Sequence, residues 1–402
     1  MSPIANNAPS MNWLQVLPTL DPRSGGPIEG VRNLGEYLLG AGHAVEVVSL
    51  DDPCAPYLEN FPLPVHALGP AAGGYRYCRK YVPWLKAHAH EFDAVIVNGI
   101  WQFSSFGAAR ALRGTGVPYY VFTHGMLDPW FKHTYPIKHL KKWLYWPWGD
   151  YRVLRDAEAV LFTCDEERRL ARQSFWLYSA REEVVGYGIR PPPPDSAFLR
   201  EQFLAAYPHL QRKRVLLFLG RIHPKKGCDV LVKSFARIAN VDPSLWLVVA
   251  GPDETGWVAG LKSLAQSLGV ADRILWPGML RTDAKWGAFH ASEAFILPSH
   301  QENFGVAVAE AMACGKPVLI SDKINIWREI DNDQAGLVDV DTVAGTERTL
   351  RRWLDLSAQE RHAMGLRASQ SFLRRFTIES TATALIEVAR RSAAKELGIA
   401  KT

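Results

Sequence analysis

The stretch AFILPSHQENFGVAVAEAMACGKPVLISD, Ala294–Asp322, decides the fold class of this 402-residue chain. It opens on a short apolar run, AFIL, that stops at Pro298 and Ser299, and it closes on a second, PVLIS. Apolar runs of this length fit strands buried on both faces of a parallel sheet. Between them lies a segment of small and apolar residues ended by Gly315 and Pro317, a helix with its stop signal. The stretch therefore reads as one right-handed strand–helix–strand unit. Glu302 falls in the loop before the helix and Glu310 two turns into it. A carboxylate in a helix built to be buried is costly unless it accepts strong hydrogen bonds.

The same alternation extends outward in both directions. Strand candidates in the first half are WLQVLPT, AVEVVSL, DAVIVNG, YYVFTHG and AVLFTC. In the second half they are RVLLFLG, LWLVVAG, RILWPG, AFILPS and PVLISD. Each is followed by a helical pattern, so the chain predicts two doubly wound α/β domains. At 402 residues it is also too long for one ordinary core. YGIRPPPPD, Tyr187–Asp195, divides them, because four consecutive prolines join neither a helix nor a central strand. The expected boundaries are a first domain over 1–190, a proline-rich linker over 191–212 and a second domain over 213–376. An amphipathic helix over 377–402 is expected to return to the first domain.

Apolar residues make up 48% and charged residues 22%, a globular composition. A net charge of +5 permits anionic ligands without indicating nucleic acid. The five cysteines are scattered with no CxxC and are expected to be buried reduced thiols of a cytosolic protein. MSPIANNAPSMN has neither the basic nor the apolar region of a signal peptide, and its first ten residues or so are expected to fray. No run of about 18 apolar residues is present to span a membrane.

Ligands of open α/β sheets bind outside the carboxyl ends of the strands, so the residues just after each strand carry the functional reading. After the first strand, Gly25 and Gly26 precede a helix running to about Gly40. That pair lets a backbone approach a phosphate, or is an ordinary turn. His124 follows YYVFT, where it is either a site residue or structural, and Asp128 close by either belongs to the site or shapes a turn. Arg221, Lys225 and Lys226 crowd the start of a helix at Gly227. Three cations there oppose the helix dipole, a conflict that a bound diphosphate resolves. The alternative is a solvated basic loop. Asn303, Phe304 and Gly305 lead into the helix that carries Glu310, and their backbone N–H groups are expected to be free at its start. Two glutamates eight apart mean little in isolation; their place at a strand end gives them weight.

GRIHPKKG, VVAGPDE and ENFGVAVAEAMACGKPVL, in that order and spacing, resemble the retaining nucleotide-sugar glycosyltransferases of family 4, which have the GT-B fold. The resemblance covers most of residues 12–396 and is strongest over 214–320. It implies two Rossmann-like domains facing across a cleft, with the terminal helix crossing back to the first. It also implies a hexosyltransferase moving sugar from a UDP- or GDP-linked donor to a glycan or polyprenyl-linked acceptor in cell-surface polysaccharide synthesis. Arg221 and Lys226 would then neutralise the diphosphate, with Lys225 behind them. Glu302, with the backbone of Asn303, Phe304 and Gly305, would grip the transferred sugar. Glu310 would hold the ribose hydroxyls. Gly25 and Gly26 would approach the diphosphate, and His124 would steady charge at the anomeric carbon. Such enzymes usually need no metal or other cofactor, because side-chain cations and helix dipoles do that work. A synthase or phosphorylase acting on a small soluble acceptor is the competing expectation, and an inactive nucleotide-sugar-binding scaffold a weaker one. A nucleic-acid partner is not expected.

FKHTYPIKHLKKWLYWPWGDYR, Phe131–Arg152, departs from the generic pattern by interleaving Lys132, Lys138, Lys141 and Lys142 with seven aromatics. Basic and aromatic residues together suit an anionic membrane interface. The hypothesis is a cytoplasmic protein that touches the inner face of the cell membrane through 131–152. A buried helix with a solvated lysine edge is the alternative.

Overall fold

The computed structural model describes residues 9–396. Residues 1–8, most of the stretch expected to fray, and 397–402 of the expected terminal helix lie outside the described residues. The chain divides into two compact units, one running to Gly188 and resuming at Ile378, the other Ile189–Thr377.

In the first unit seven strands form one parallel sheet: β1 (Asn12–Leu17), β2 (Ala44–Ser49), β3 (Val65–Ala67), β4 (Ala94–Asn98), β5 (Tyr119–Phe122), β6 (Ala159–Phe162) and β7 (Glu182–Val184). Their order is β3-β2-β1-β4-β5-β6-β7. The sequence reading finds five of them. It misses β3 and β7, three-residue edge strands without a fully buried residue and so without the apolar run that marks a central strand. The helices are α1 (Gly26–Gly40), α2 (Tyr81–His88), α3 (Phe103–Leu112), α4 (Trp130–Thr134), α5 (Pro136–Tyr145), α6 (Asp150–Asp156) and α7 (Asp165–Ala171). Helix α1 buries Ile28, Val31, Leu34 and Leu38, one stripe at helical spacing, against one face of the sheet. The other face is covered by α2 and α3 through Tyr81, Leu85, Ala108 and Leu112.

The second unit holds six parallel strands: β8 (Arg214–Leu219), β9 (Leu245–Ala250), β10 (Ile274–Gly278), β11 (Ala294–Leu297), β12 (Val318–Ser321) and β13 (Gly336–Asp339), in the order β10-β9-β8-β11-β12-β13. Its helices are α8 (Ser196–Ala206), α9 (Cys228–Ile238), α10 (Trp257–Ser267), α11 (Thr282–Ala291), α12 (Val306–Ala313), α13 (Trp327–Asn332), α14 (Val343–Asp355) and α15 (Ala358–Arg375). Both sheets are doubly wound and Rossmann-like, as expected. The stretch 191–212, expected as a linker, holds α8, which packs against α11 of the second unit. Asp195 caps α8 by accepting from the Phe198 amide, and Leu199 and Phe203 are its buried residues, so the chain folds into this unit directly after the prolines. The last helix, α16 (Ile378–Glu396), belongs to the first unit. Its Ile378, Ala382, Leu385 and Val388 share the core with α1. All five cysteines are free thiols; Cys78, Cys164 and Cys228 are buried, while exposed Cys54 and half-buried Cys314 depart from the expectation that all are buried.

Candidate functional site

In the second unit the strand order reverses between β8 and β11, which are neighbours in the sheet. Such a switch point leaves a crevice at the carboxyl ends of the two strands. The loops that follow them carry the predicted cations and carboxylates, and backbone contacts join these loops. The His300 amide donates to the Lys225 carbonyl at 2.8 Å, and the Ser299 hydroxyl reaches the same carbonyl at 3.0 Å. Gly227 sits at φ +66, where a Cβ would lie 2.1 Å from the Pro298 carbonyl oxygen. Only glycine supplies both that conformation and that clearance.

This arrangement brings Lys226 Nζ into contact with a carboxylate oxygen of Glu302. Both side chains are half-buried. Burial pulls the Lys226 ammonium down toward about 7, and the cations Lys225 and Arg221 push the same way. The Glu302 carboxylate opposes that pull by favouring the charged form. Arg221 makes a contact of its own. Its side chain is 60% exposed and sits 3.6 Å from Glu254, a solvated contact that holds it weakly.

The loop after β11 is fixed by its own backbone. The Glu302 amide donates to the Lys323 carbonyl at 2.9 Å, and the Asn325 amide donates to the Glu302 carbonyl at 3.1 Å. Asn303 accepts from the Asn325 side chain at 3.4 Å. Phe304 is a core residue packed edge-on against Phe376, so its side chain is not part of an open site. Gly305, at φ +84, is the N-cap of α12 and has no side chain with which to cap it. A Cβ there would crowd Val308 and Ile324 at 3.1 and 3.2 Å.

Glu310 projects from α12 and accepts from Lys285 Nζ of α11 at 2.8 Å. Burial pushes the Glu310 carboxyl up, and Lys285 pulls it back toward the ionised form. The cost of a carboxylate in a buried helix is thus met by a lysine that the sequence reading missed. Lys285 stands beside Trp286, with its ammonium 4.2 Å from the ring centroid, in a stretch without motif character. Only the packing of α11 reveals its partner.

The first unit holds the remaining predicted residues. Gly25, at φ +87, caps α1, and Gly26 opens it. The Tyr187 hydroxyl donates to the Gly26 carbonyl at 2.7 Å. His124 follows β5 with φ +48, unusual for a non-glycine residue. Its ring stacks on Phe122, with centroids 4.9 Å apart and planes 10° apart. Its Nε2 lies 3.0 Å from Asn98 Oδ1. Burial lowers the imidazole to about 4, so it is neutral at ordinary pH. The turn that carries it is held by Glu167 of α7, a buried carboxylate overlooked in the sequence. Glu167 accepts from the Gly125 amide at 2.6 Å, the Thr123 hydroxyl at 2.9 Å and the Thr163 amide at 2.8 Å. Asp128 accepts from the Trp130 amide at 2.8 Å, a local turn bond. Among the described residues no group of three or more His, Cys, Asp and Glu could hold a metal ion.

Within 131–152 the structure separates two sets of residues. Trp146 is fully buried on Phe175, and Lys142 turns inward with its ammonium 4.4 Å from the Trp101 ring centroid. Lys132, Lys138 and Lys141 are exposed. Helix α5 buries none of its residues. Ile137, Leu140 and Leu144 are 75%, 58% and 61% exposed, and Trp143 and Trp148 are exposed beside them.

Two family models match the chain: Glycosyl transferase 4-like domain over residues 25–188 and Glycosyl transferases group 1 over residues 200–371. Among curated relatives, the D-inositol 3-phosphate glycosyltransferase of Mycobacterium marinum is 29% identical over 255 residues, covering 61% of this chain and 52% of the relative. That of Segniliparus rotundus is 35% identical over 179 residues, covering 43% and 39%. The chain spans about half the length of the curated relatives it matches. Among solved structures, sucrose-phosphate synthase from Thermosynechococcus elongatus superposes with a TM-score of 0.74 at 20% identity, covering 96% of this chain and 100% of that one. Anabaena HepE, in complex with UDP and glucose, superposes with a TM-score of 0.71 at 18% identity, covering 94% and 98%. With two Rossmann-like sheets of GT-B type, and with family matches running from residue 25 to residue 371, the chain belongs to the group 1 glycosyltransferases.

Proposed function

We propose that this protein is a retaining hexosyltransferase that takes its sugar from a nucleoside-diphosphate donor and needs no metal. The observation that carries the reading is the Lys226–Glu302 contact at the strand-order switch point, with Glu310, paired to Lys285, on the helix that follows the Glu302 loop. In this reading the donor diphosphate takes over from Glu302 as the counter-ion of Lys226. Exposed Arg221 is free to swing onto the same phosphates, where its planar fork gives paired contacts. Glu302, released from the lysine, accepts hydroxyls of the transferred sugar. Glu310, kept ionised by Lys285, accepts the two ribose hydroxyls. The α12 N-terminus adds its dipole to the cations as negative charge grows on the leaving phosphate.

The chemical step keeps the sugar's configuration. The bond from the anomeric carbon to the phosphate oxygen breaks, and an acceptor hydroxyl bonds to the same face. The departing phosphate oxygen takes the hydroxyl proton. Glu302 then serves as a hydroxyl acceptor, and no covalent glycosyl–enzyme bond is required. His124 is proposed to contact substrate, and Gly25 and Gly26 to offer their backbone to the diphosphate.

The acceptor proposed is a lipid-linked glycan on an anionic membrane, in cell-surface polysaccharide synthesis on the cytoplasmic side. The support is α5, whose Ile137, Leu140 and Leu144 stand exposed beside Lys138 and Lys141, in a stretch 129–149 without a single acid. An exposed apolar stripe flanked by lysines and tryptophans suits a bilayer interface better than open water. No helix among the described residues is long and apolar enough to cross a membrane. The second reading is a small phosphorylated soluble acceptor, favoured by the names of the relatives above. A thermal-shift screen of UDP, GDP, ADP and their sugar conjugates tests the donor site. One nucleotide should stabilise the wild type and lose most of its effect in Lys226→Ala. No stabilisation by any of them would remove the diphosphate site.

A further inference from the structure

Two buried amides lie behind His124. Gln15 is the polar residue in the middle of β1 and is 1% exposed, and Asn98 ends β4, whose five residues are all buried. Buried amides are costly unless they are hydrogen-bonded. Asn98 Nδ2 lies 2.8 Å from Gln15 Oε1 and 3.4 Å from the Val16 and Ile96 carbonyl oxygens. Backbone carbonyls only accept, so the atom facing them is the NH2 group and the orientation of the Asn98 amide is settled by its surroundings. The Asn98 atom 3.0 Å from His124 Nε2 is therefore Oδ1, which carries no hydrogen. The hydrogen of that bond has to come from the ring.

We infer that Asn98, oriented by Gln15, is a positioning residue that keeps the His124 ring proton on Nε2 and so leaves Nδ1 as an acceptor for a substrate hydroxyl. The inference rests on the proposed role of His124 as a substrate contact. Three further features make the arrangement rigid. The ring is held flat against Phe122. The backbone is held at φ +48, and Glu167 grips the next amide. Burial keeps a second proton off the ring at neutral pH. A neutral imidazole of fixed tautomer accepts from a sugar hydroxyl and offers nothing to an anion. It therefore favours sugar groups over phosphate at this position, and it contributes to catalysis as an aligned dipole rather than as a cation.

The test is a long-range 1H–15N correlation spectrum of 15N-histidine-labelled protein at neutral pH, with His124 assigned by its loss in His124→Gln. Protonated and bare ring nitrogens differ widely in 15N shift. The wild type should show one fixed form, protonated at Nε2. In Asn98→Leu that single form should give way to a mixture, and Asn98→Asp, whose carboxylate also accepts, should restore it. A proton on Nδ1 in the wild type, or an unchanged spectrum in folded Asn98→Leu, overturns the inference. If Asn98→Leu does not fold, Gln15→Met leaves Asn98 in place and removes its orienting partner; a spectrum identical to wild type there counts against the inference. The spectrum does not depend on turnover or nucleotide. Its failure leaves the transferase reading standing, and failure of the nucleotide screen leaves the tautomer standing.

Discussion

Replacing Gly227 by alanine separates two costs that the structure assigns to one atom. Gly227 has φ +66, and left-handed backbone costs an alanine about 1 kcal/mol over glycine. Gly256 has almost the same φ, +71, with nothing within 4 Å of the Cβ position. Gly256→Ala therefore reports the backbone cost alone. At Gly227 the new methyl would sit 2.1 Å from the Pro298 carbonyl oxygen, against roughly 3.4 Å for ordinary contact. The two loops must then part by about an ångström, and forcing a methyl into a packed site costs about 1–3 kcal/mol more. For a unit of this size that difference is about 2–12 °C in Tm between the two alanine variants, measured by scanning calorimetry. The same displacement moves Lys226 from Glu302, so Gly227→Ala should also lose the stabilisation expected from the donor nucleotide, while Gly256→Ala keeps it. Equal melting temperatures and equal nucleotide responses in the two variants would refute the claim that the loop contact assembles the site.

Burial raises the Asp150 carboxyl to about 6 from an ordinary value of 3.8, even though the Ser105 hydroxyl and the Trp101 amide donate to it. A raised carboxyl stabilises the fold below the unfolded pKa and loses that contribution as pH rises through about 6, roughly 3 kcal/mol in all. Melting temperatures of wild type and Asp150→Asn should therefore diverge across pH 4–7, with wild type losing ground; parallel curves would contradict this. Lys285→Met leaves the Glu310 carboxylate without its cation and should cost about 1–3 kcal/mol, less the screening of a partly exposed pair. The double variant with Glu310→Gln should recover most of that loss in urea denaturation. At the proposed membrane face, Lys138→Glu with Lys141→Glu should abolish flotation on anionic vesicles without changing Tm. Lys142→Glu should instead lower Tm, because its ammonium lies over Trp101 inside the unit. Flotation that survives the Lys138 and Lys141 changes would argue against the docking face.

Strand–helix alternation was legible because buried parallel strands advertise themselves as apolar runs, and ten of the thirteen strands among the described residues did. The short edge strands β3, β7 and β13 did not: β3 and β7 have no buried residue, and β13 is only four residues long, opening on Gly336 and closing on Asp339, too short an apolar run to stand out. The loops carrying Lys226 and Glu302, and the helix carrying Glu310, were legible as positions after strands, and their glycines as turns. Residues that act by packing were not. Nothing local in Lys285, Glu167, Asn98 or Gln15 marks them out, because each matters through a partner 25 to 83 positions away in the chain. The inward turn of Lys142 and the outward turn of Lys138 and Lys141 were equally hidden in a run of lysines. Composition, periodicity and turn chemistry set which elements form and where the site must open, because these depend on neighbours in the chain. Which side chains meet there, and which charge neutralises which, was decided only when the sheets brought distant loops within hydrogen-bonding distance.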